Sequence, residues 1–226
     1  VLQTLQNLQI GESEIDASRH LAIDGDPMST HPNINFGLEN VLPGLKSPTY
    51  HKRLELGEII NICMGYRRAL VARTGLYVRK KEEVPLKMKG ILENFYAPYF
   101  QALCNWYEAL HIGASGDQVF QAVKKSIGDF KEFGIGLNPG HLTHTEEWTN
   151  SIFFQGSTHR VKSGMALQCD IIAFPGEPYG GVHIEDGLFI ADEATREIIR
   201  TQYPGSWKRI EKRRKIMKET LGIHIA

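Results

Sequence analysis

The sequence is poor in cysteine: three residues in 226, Cys63, Cys104 and Cys169, with no CxxC pair among them. That excludes a disulfide framework and a cysteine-based zinc motif, and it makes a reducing interior the simplest setting. Cys63 and Cys169 lie in apolar runs, where a small core hydrophobe is expected rather than a nucleophile. Long apolar runs are also missing, since no stretch of about 18 such residues occurs. The opening "VLQTLQNLQIGESEIDASRHL" has no basic region followed by an apolar one. Neither a membrane span nor a signal peptide is therefore expected, and a cytoplasmic location follows by default. An excess of one charge is absent too, with 26 basic against 26 acidic side chains. Nothing in that balance favours nucleic acid or an anionic membrane over a small neutral ligand. No HExxH spacing, internal repeat or low-complexity segment is present. The chain begins at Val1 and ends in the basic helical pattern "KRRKIMKETLGIHIA" without a stop signal; a fragment trimmed at both ends is the expectation.

What is present is an alternation of helical and strand patterns. Residues 12–23 space Ile15, Leu21 and Ile23 helically, with acids early in the run, as helix starts prefer. "DGDPMSTHPNINFGLENVLPGLKSPTYHKR" is rich in Gly, Pro, Asn and Ser and reads as loops and short extended pieces. "LELGEIINICMGYRRALVARTGLYV" predicts two neighbouring strands joined by a turn, around Gly57 and Gly65. From Pro85 to Leu110 apolar residues recur every three or four positions, including Leu86, Met88, Ile91, Leu92, Phe95, Tyr99, Leu103 and Trp106. This predicts a long packed helix with an interruption at Pro98. "GASGDQVFQAVKKSIGDF" opens a second, with Ser115 or Asp117 as cap and Val119, Phe120, Val123 and Ile127 inward. Short strands and Gly/Pro turns follow to about Ala191, and then the helical "DEATREIIRTQYP" and "WKRIEKRRKIMKETL". The order helix, strands, helices, strands predicts an α+β fold with an antiparallel sheet.

Two stretches carry candidate chemistry. "NPGHLTHTEEW" holds His141, His144, Glu146 and Glu147 after a Gly-rich run. Imidazole can shuttle protons near neutral pH or bind a metal, and neighbouring carboxylates can orient it. "SGMALQCDIIAFPGEPYGGVHIEDGLFIAD" places Asp170 and Glu185 in strand-like sequence on either side of the tight connection "FPGEPYGG", so a hairpin can bring the two acids together. Either carboxylate can bind a cation, orient the His, or face water. His51 and His183 are assigned surface or structural places, with substrate contact as the alternative. Arg67, Arg68 and Arg73 in "GYRRALVART" read as a solvated face, as does "KRIEKRRKIMK".

These pieces, in this order, resemble the pita-bread superfamily that contains methionine aminopeptidase, aminopeptidase P, prolidase and creatinase. "LQIGESEIDA" looks like its opening helix, "LELGEIINI" like the strand after a "GD" signature, and "GYRRALVART" like its "GY...RT" segment. "PGHLTHTEEW" looks like the Gly-His loop, "SGMALQCDI" like "PGMVFTIEP", and "GGVHIEDGLFI" like "GVRIEDTVLV". The resemblance implies a curved antiparallel sheet flanked by helices over residues 1–226, with the N-terminal domain of such proteins lacking. It also implies a homodimer. The superfamily's metallopeptidases hold two divalent ions with two Asp, one His and two Glu, and an activated water attacks the peptide carbonyl. Carried over, the two Glu fall on Asp170 and Glu185, and the His falls on His141, with His144 as rival. The two Asp fall on Asn61 or Cys63 and on Ala69 or Leu70, and no Asp or Glu occurs between Glu58 and Glu82. A two-metal centre of hard cations is therefore not expected.

Creatinase resembles this chain in an Asn-Cys-containing strand and an "ALERT"-like segment, here "NIC" and "ALVART". That resemblance implies a metal-free hydrolase cleaving a C–N bond of a small amide, amidino or dipeptide-like substrate. His141 would shuttle the proton, His144 or Glu147 would orient it, and Asp170, Glu185, His183 and His51 would contact substrate. No cofactor is expected on this reading. The alternatives are a peptidase relative with a single divalent ion on His141, Asp170 and Glu185, and a catalytically silent binding domain.

Overall fold

The computed structural model describes residues 1–41 and 46–225. Part of the loop-rich stretch expected over 24–53 thus falls outside the described residues. Six antiparallel strands form one sheet in the order β1-β2-β3-β6-β5-β4. They are β1 (Thr30–Phe36), β2 (Ile59–Tyr66), β3 (Ala69–Leu76), β4 (His141–Leu142), β5 (Ala166–Gly176) and β6 (Gly180–Phe189). β2 and β3 form the expected hairpin, but Gly57 and Gly65 do not make its turn. Arg67 and Arg68 do, at φ 49° and 73°, the left-handed pair that a two-residue hairpin turn requires. Gly65 lies inside β2, where an added Cβ would sit 2.5 Å from the Thr30 side chain. β1 arises within the stretch read as loops, and its buried Ile34 and Phe36 pack with Ile60 and Ile62.

The helix expected over residues 12–23 forms as α2 (Glu14–Ser18), and a separate α1 (Leu2–Asn7) precedes it. Ser13 caps α2, and a 3-10 turn over Arg19–Leu21 ends it. Ile23 is exposed. A short α3 (Leu38–Val41) follows β1.

The long helix starts later than its periodicity predicts. Leu86, assigned inward, is 92% exposed on a 3-10 turn, and Gly90 adopts φ 84°. Helical backbone runs over 91–109: a π turn at Leu92–Tyr96, then α4 (Ala97–Ala109). The expected break at Pro98 takes the form of that π turn. A proline ring crowds the carbonyl four residues back, and a wider turn relieves the clash without ending the helix. Ile91, Phe95, Tyr99, Leu103 and Trp106 make the buried stripe. α5 (Gly116–Ile127) starts at a capping box in which Ser115, not Asp117, accepts from Gln118 N–H. Val119 and Val123 are buried, while Phe120 stacks on Phe130 at 4.6 Å. Together α4 and α5 cover the sheet face that carries Leu167, Cys169, Ile171 and Ala173 of β5. Burial on that scale, at about 25 cal/mol per Å² of apolar surface, is the main force holding the sheet in place. α6 (Glu193–Gln202) and α7 (Pro204–Glu219) follow and have no buried residues. No described helix is long and apolar enough to cross a membrane.

All three cysteines are buried and free, as expected. Arg73, assigned to a solvated face, instead donates both Nη2 hydrogen bonds to Asp186, at 2.9 and 3.0 Å, and Nη1 to the carbonyls of Ala72 and Glu185. A guanidinium satisfies several acceptors at a strand junction because its donors form a rigid fork.

Candidate active site

Alternation along the strands sends Asp170 and Glu185 away from the helices. Cys169 and Ile171 point into the α4–α5 core, so Asp170 must face the other side. Asp170 and Glu185 stand directly opposite each other in the β5–β6 pair, and side chains paired in this way share a face. The Tyr99 hydroxyl reaches through from α4 beside them. It accepts from Ile184 N–H and donates to the Ile171 carbonyl, fixing both strands one residue from each acid.

His141 enters from β4, whose partner in register is Gln168. Gly140, at φ 101°, precedes it, and a Cβ there would lie 2.7 Å from the Gln168 carbonyl oxygen and 3.1 Å from the Trp106 ring. Only glycine passes this gap. Trp106 Nε1 donates to the Pro139 carbonyl at 2.6 Å, and Ser151 Oγ donates to the Gly140 carbonyl. The loop that follows folds back, bringing Glu147 to His141 and setting the Trp148 ring 5.9 Å from the imidazole.

The result is a closed ring of titratable groups. His141 Nε2 lies 3.4 Å from Glu185 Oε1, 3.7 Å from Asp170 Oδ2 and 3.1 Å from Glu147 Oε1. His183 Nε2 hydrogen-bonds Asp170 Oδ1 at 2.8 Å and lies 3.2 Å from Glu185 Oε2. Each acid thus turns one oxygen to His183 and the other to His141. Burial opposes a charge on His141, but the carboxylates of Glu147 and Glu185 and the Leu142 carbonyl outweigh it, pushing its pKa up to about 10. For His183 burial is likewise outweighed, by Asp170 and Glu185, and its pKa rises to about 9. The Cys63 thiol is held well above the usual range by burial, with Glu185 and Glu147 adding to the shift.

His141 Nε2 and Glu185 Oε1 are both buried without a hydrogen-bond partner among the described residues. Glu147 approaches His141 without hydrogen-bond geometry. His141 Nδ1 sits 3.1 Å from the Leu142 carbonyl, and since a carbonyl only accepts, Nδ1 bears a proton; Nε2 is the atom that would turn a lone pair to a cation on giving up its own proton. His141, Asp170 and Glu185 each place one ligand atom within 4.8 Å of the others. Two ligand atoms about 2.1 Å from a tetrahedral ion lie about 3.4 Å apart, so this donor set fits one divalent cation.

Among the described residues, the neighbouring strands add no carboxylate to this face. The same face of β2 and β3 carries Asn61, Cys63, Leu70, Ala72 and Thr74. Register puts Ala72 opposite both Cys63 and Glu185, and Thr74 opposite both Asn61 and His183. Ala69 turns to the other face. None of these side chains supplies the anionic oxygen a second hard cation needs.

Of the residues singled out in the sequence, His141, Glu147, Asp170, Glu185 and His183 come together. His144 does not: it is exposed, with Nδ1 against the Thr145 hydroxyl. His51 is exposed and makes no hydrogen bond or ion pair with the cluster. His183, for which the sequence leaves a surface or structural place and substrate contact both open, is 8% exposed within the ring. Its phase with Glu185, two residues on, was the signal available in the sequence. Gln168, absent from the sequence reading, is fully buried beside His141, with Nε2 donating to the Leu70 carbonyl.

No family model matches the chain, and no curated protein does. Solved structures do. The Xaa-Pro dipeptidase from Bacillus anthracis aligns with a TM-score of 0.67 at 20% identity, over 84% of this chain and 53% of its own. The prolidase from Pyrococcus furiosus aligns with a TM-score of 0.65 at 19% identity, over 84% of this chain and 56% of its own. The His243Ala aminopeptidase P of Escherichia coli gives 0.65 at 15%, over 84% and 49%. The chain therefore has the pita-bread fold, as the sequence resemblance implies, and spans about half the length of these proteins.

Proposed function

We propose that this chain is a hydrolase of a C–N bond in a small amide, amidino or dipeptide-like substrate, and that its centre holds one divalent cation. The observation carrying this reading is the facing pair of buried atoms without hydrogen-bond partners, His141 Nε2 and Glu185 Oε1, at 3.4 Å. A buried polar atom left without a hydrogen-bond partner costs about 1–3 kcal/mol, for each of the two, unless something lies between them. The fold shared with dipeptidases and an aminopeptidase P supports a peptidase-like chemistry.

His141 Nε2, Asp170 Oδ2 and Glu185 Oε1 would hold the ion, with Glu147 beside them. When bound, a divalent cation polarises a carbonyl oxygen and acidifies a water. Glu147, whose side chain is 18% exposed against 2% for His141, is the member of the cluster open to solvent. It is placed to accept a proton from the attacking water and pass it to the leaving nitrogen. Trp148, half-exposed next to His141, offers an apolar wall for substrate.

The test is metal analysis together with hydrolysis of a panel of Xaa-Pro dipeptides, amides and amidino compounds, for the wild type and His141→Ala. One ion per chain and turnover that is lost in the variant are expected. Two ions per chain, or turnover indifferent to His141, would sink the proposal. A second reading, the metal-free hydrolase, is favoured by one observation. His141, pushed up to about 10 by its carboxylates, is an imidazolium at neutral pH without any ion and can itself donate to a leaving nitrogen. Full turnover in a chelator would establish that reading instead.

A further inference from the structure

We infer that His183 is a positioning residue that decides which carboxylate oxygens face His141. This deepens, and rests on, the one-cation reading above. Asp170 and Glu185 each have two equivalent oxygens and a terminal torsion that is broad in isolation. Here both are oriented from the same side. His183 Nε2 hydrogen-bonds Asp170 Oδ1 at 2.8 Å and sits 3.2 Å from Glu185 Oε2. The opposite oxygens, Asp170 Oδ2 and Glu185 Oε1, are the two turned to His141.

A ring at this position can do this because register places His183 opposite Thr74 on one side and Ile172 on the other. Neither of those side chains competes as a charged partner. His183 is two residues before Glu185 on the same face and diagonal to Asp170, so one N–H lies between both acids. On the far side of β3 the face continues in a chain of neutral bonds, with Thr74 Oγ1 donating to Asn61 Oδ1 at 2.7 Å. Among the described residues, no other side chain hydrogen-bonds either acid. His183 Nε2 is turned to both acids and lies outside the group of His141, Asp170 and Glu185 that could hold a cation.

The experiment titrates chelator-stripped protein with Co²⁺ by calorimetry and by visible absorption, in the wild type, His183→Met and His183→Gln. Met approximates the ring's bulk without a donor; the Gln amide supplies an N–H at similar reach. Met is expected to weaken Co²⁺ affinity about ten- to a hundred-fold and to change the ligand-field bands. Gln is expected to restore both to near wild type. His183→Asn, too short to reach, is a second donor-loss variant, read if circular dichroism shows His183→Met unfolded. Equal affinity and spectra in all variants would overturn the inference while leaving the cation reading intact. Absence of Co²⁺ binding in the wild type would instead overturn the cation reading, and this inference with it.

Discussion

The sheet presents one continuous face built in two different materials. On β4, β5 and β6 it carries His141, Asp170, His183 and Glu185, all buried and all ionisable. On β1, β2 and β3 it carries Asn33, Asn35, Asn61, Cys63, Ala72 and Thr74, equally buried and neutral. In the neutral half hydrogen bonds pass from Thr74 to Asn61 and on to Asn35, whose Nδ2 donates to the Lys46 carbonyl. Amides and hydroxyls satisfy one another at little electrostatic cost, whereas buried carboxylates need a counter-charge. The charged half therefore depends on its own internal pairing. The neutral half does not depend on it, and the buried carboxylates of this face all lie in the other half.

Removing a partner from the charged half should produce the largest effect. Glu185→Leu leaves two buried imidazoles with Asp170 between them and Glu147 beside His141 alone, and about 3–5 kcal/mol of stability should be lost, read as a lowered denaturation midpoint in urea. A loss below about 1 kcal/mol would show that the cluster behaves like an exposed ion pair, and the contrast between the halves would collapse.

The next contrast is in pH. His141 and His183 have folded-state values raised to about 10 and about 9, against about 6.5 in the unfolded chain. A raised histidine contributes stability that is fully present below the unfolded value and is lost as pH rises through the folded one. In a chelator, stability should decline steadily as pH rises from about 6.5 to about 10, monitored by chemical denaturation at each pH. A flat profile in the wild type would break the comparison from this side.

The smallest effect belongs to the neutral half. Thr74→Val removes one hydrogen bond from the amide chain and should cost about 1 kcal/mol, with Co²⁺ affinity unchanged in calorimetry. A large drop in affinity would mean that the two halves act as one site.

Much of this was written in the sequence. Alternation at Asp170 and Glu185, the tight connection between them, the glycine before His141 and the helical spacing from Ile91 to Trp106 each encode a local periodicity, and periodicity survives without coordinates. The π turn at Pro98 was partly legible, as a break without its form. β1 was hidden among turn-forming residues because its strand character comes from packing against β2, not from propensity. Arg73 looked solvated because its partner, Asp186, lies 113 residues away.

By itself, then, the sequence determined the fold class, the residue types available for chemistry and the missing carboxylates between Glu58 and Glu82. The placement of His141 rather than His144 beside the two acids, the approach of Glu147 and the capture of His183 by both acids were decided only by the tertiary structure. The reason is physical: a side chain's face and partners follow from sheet register and from gaps as narrow as that at Gly140, and both are set by residues distant in the chain.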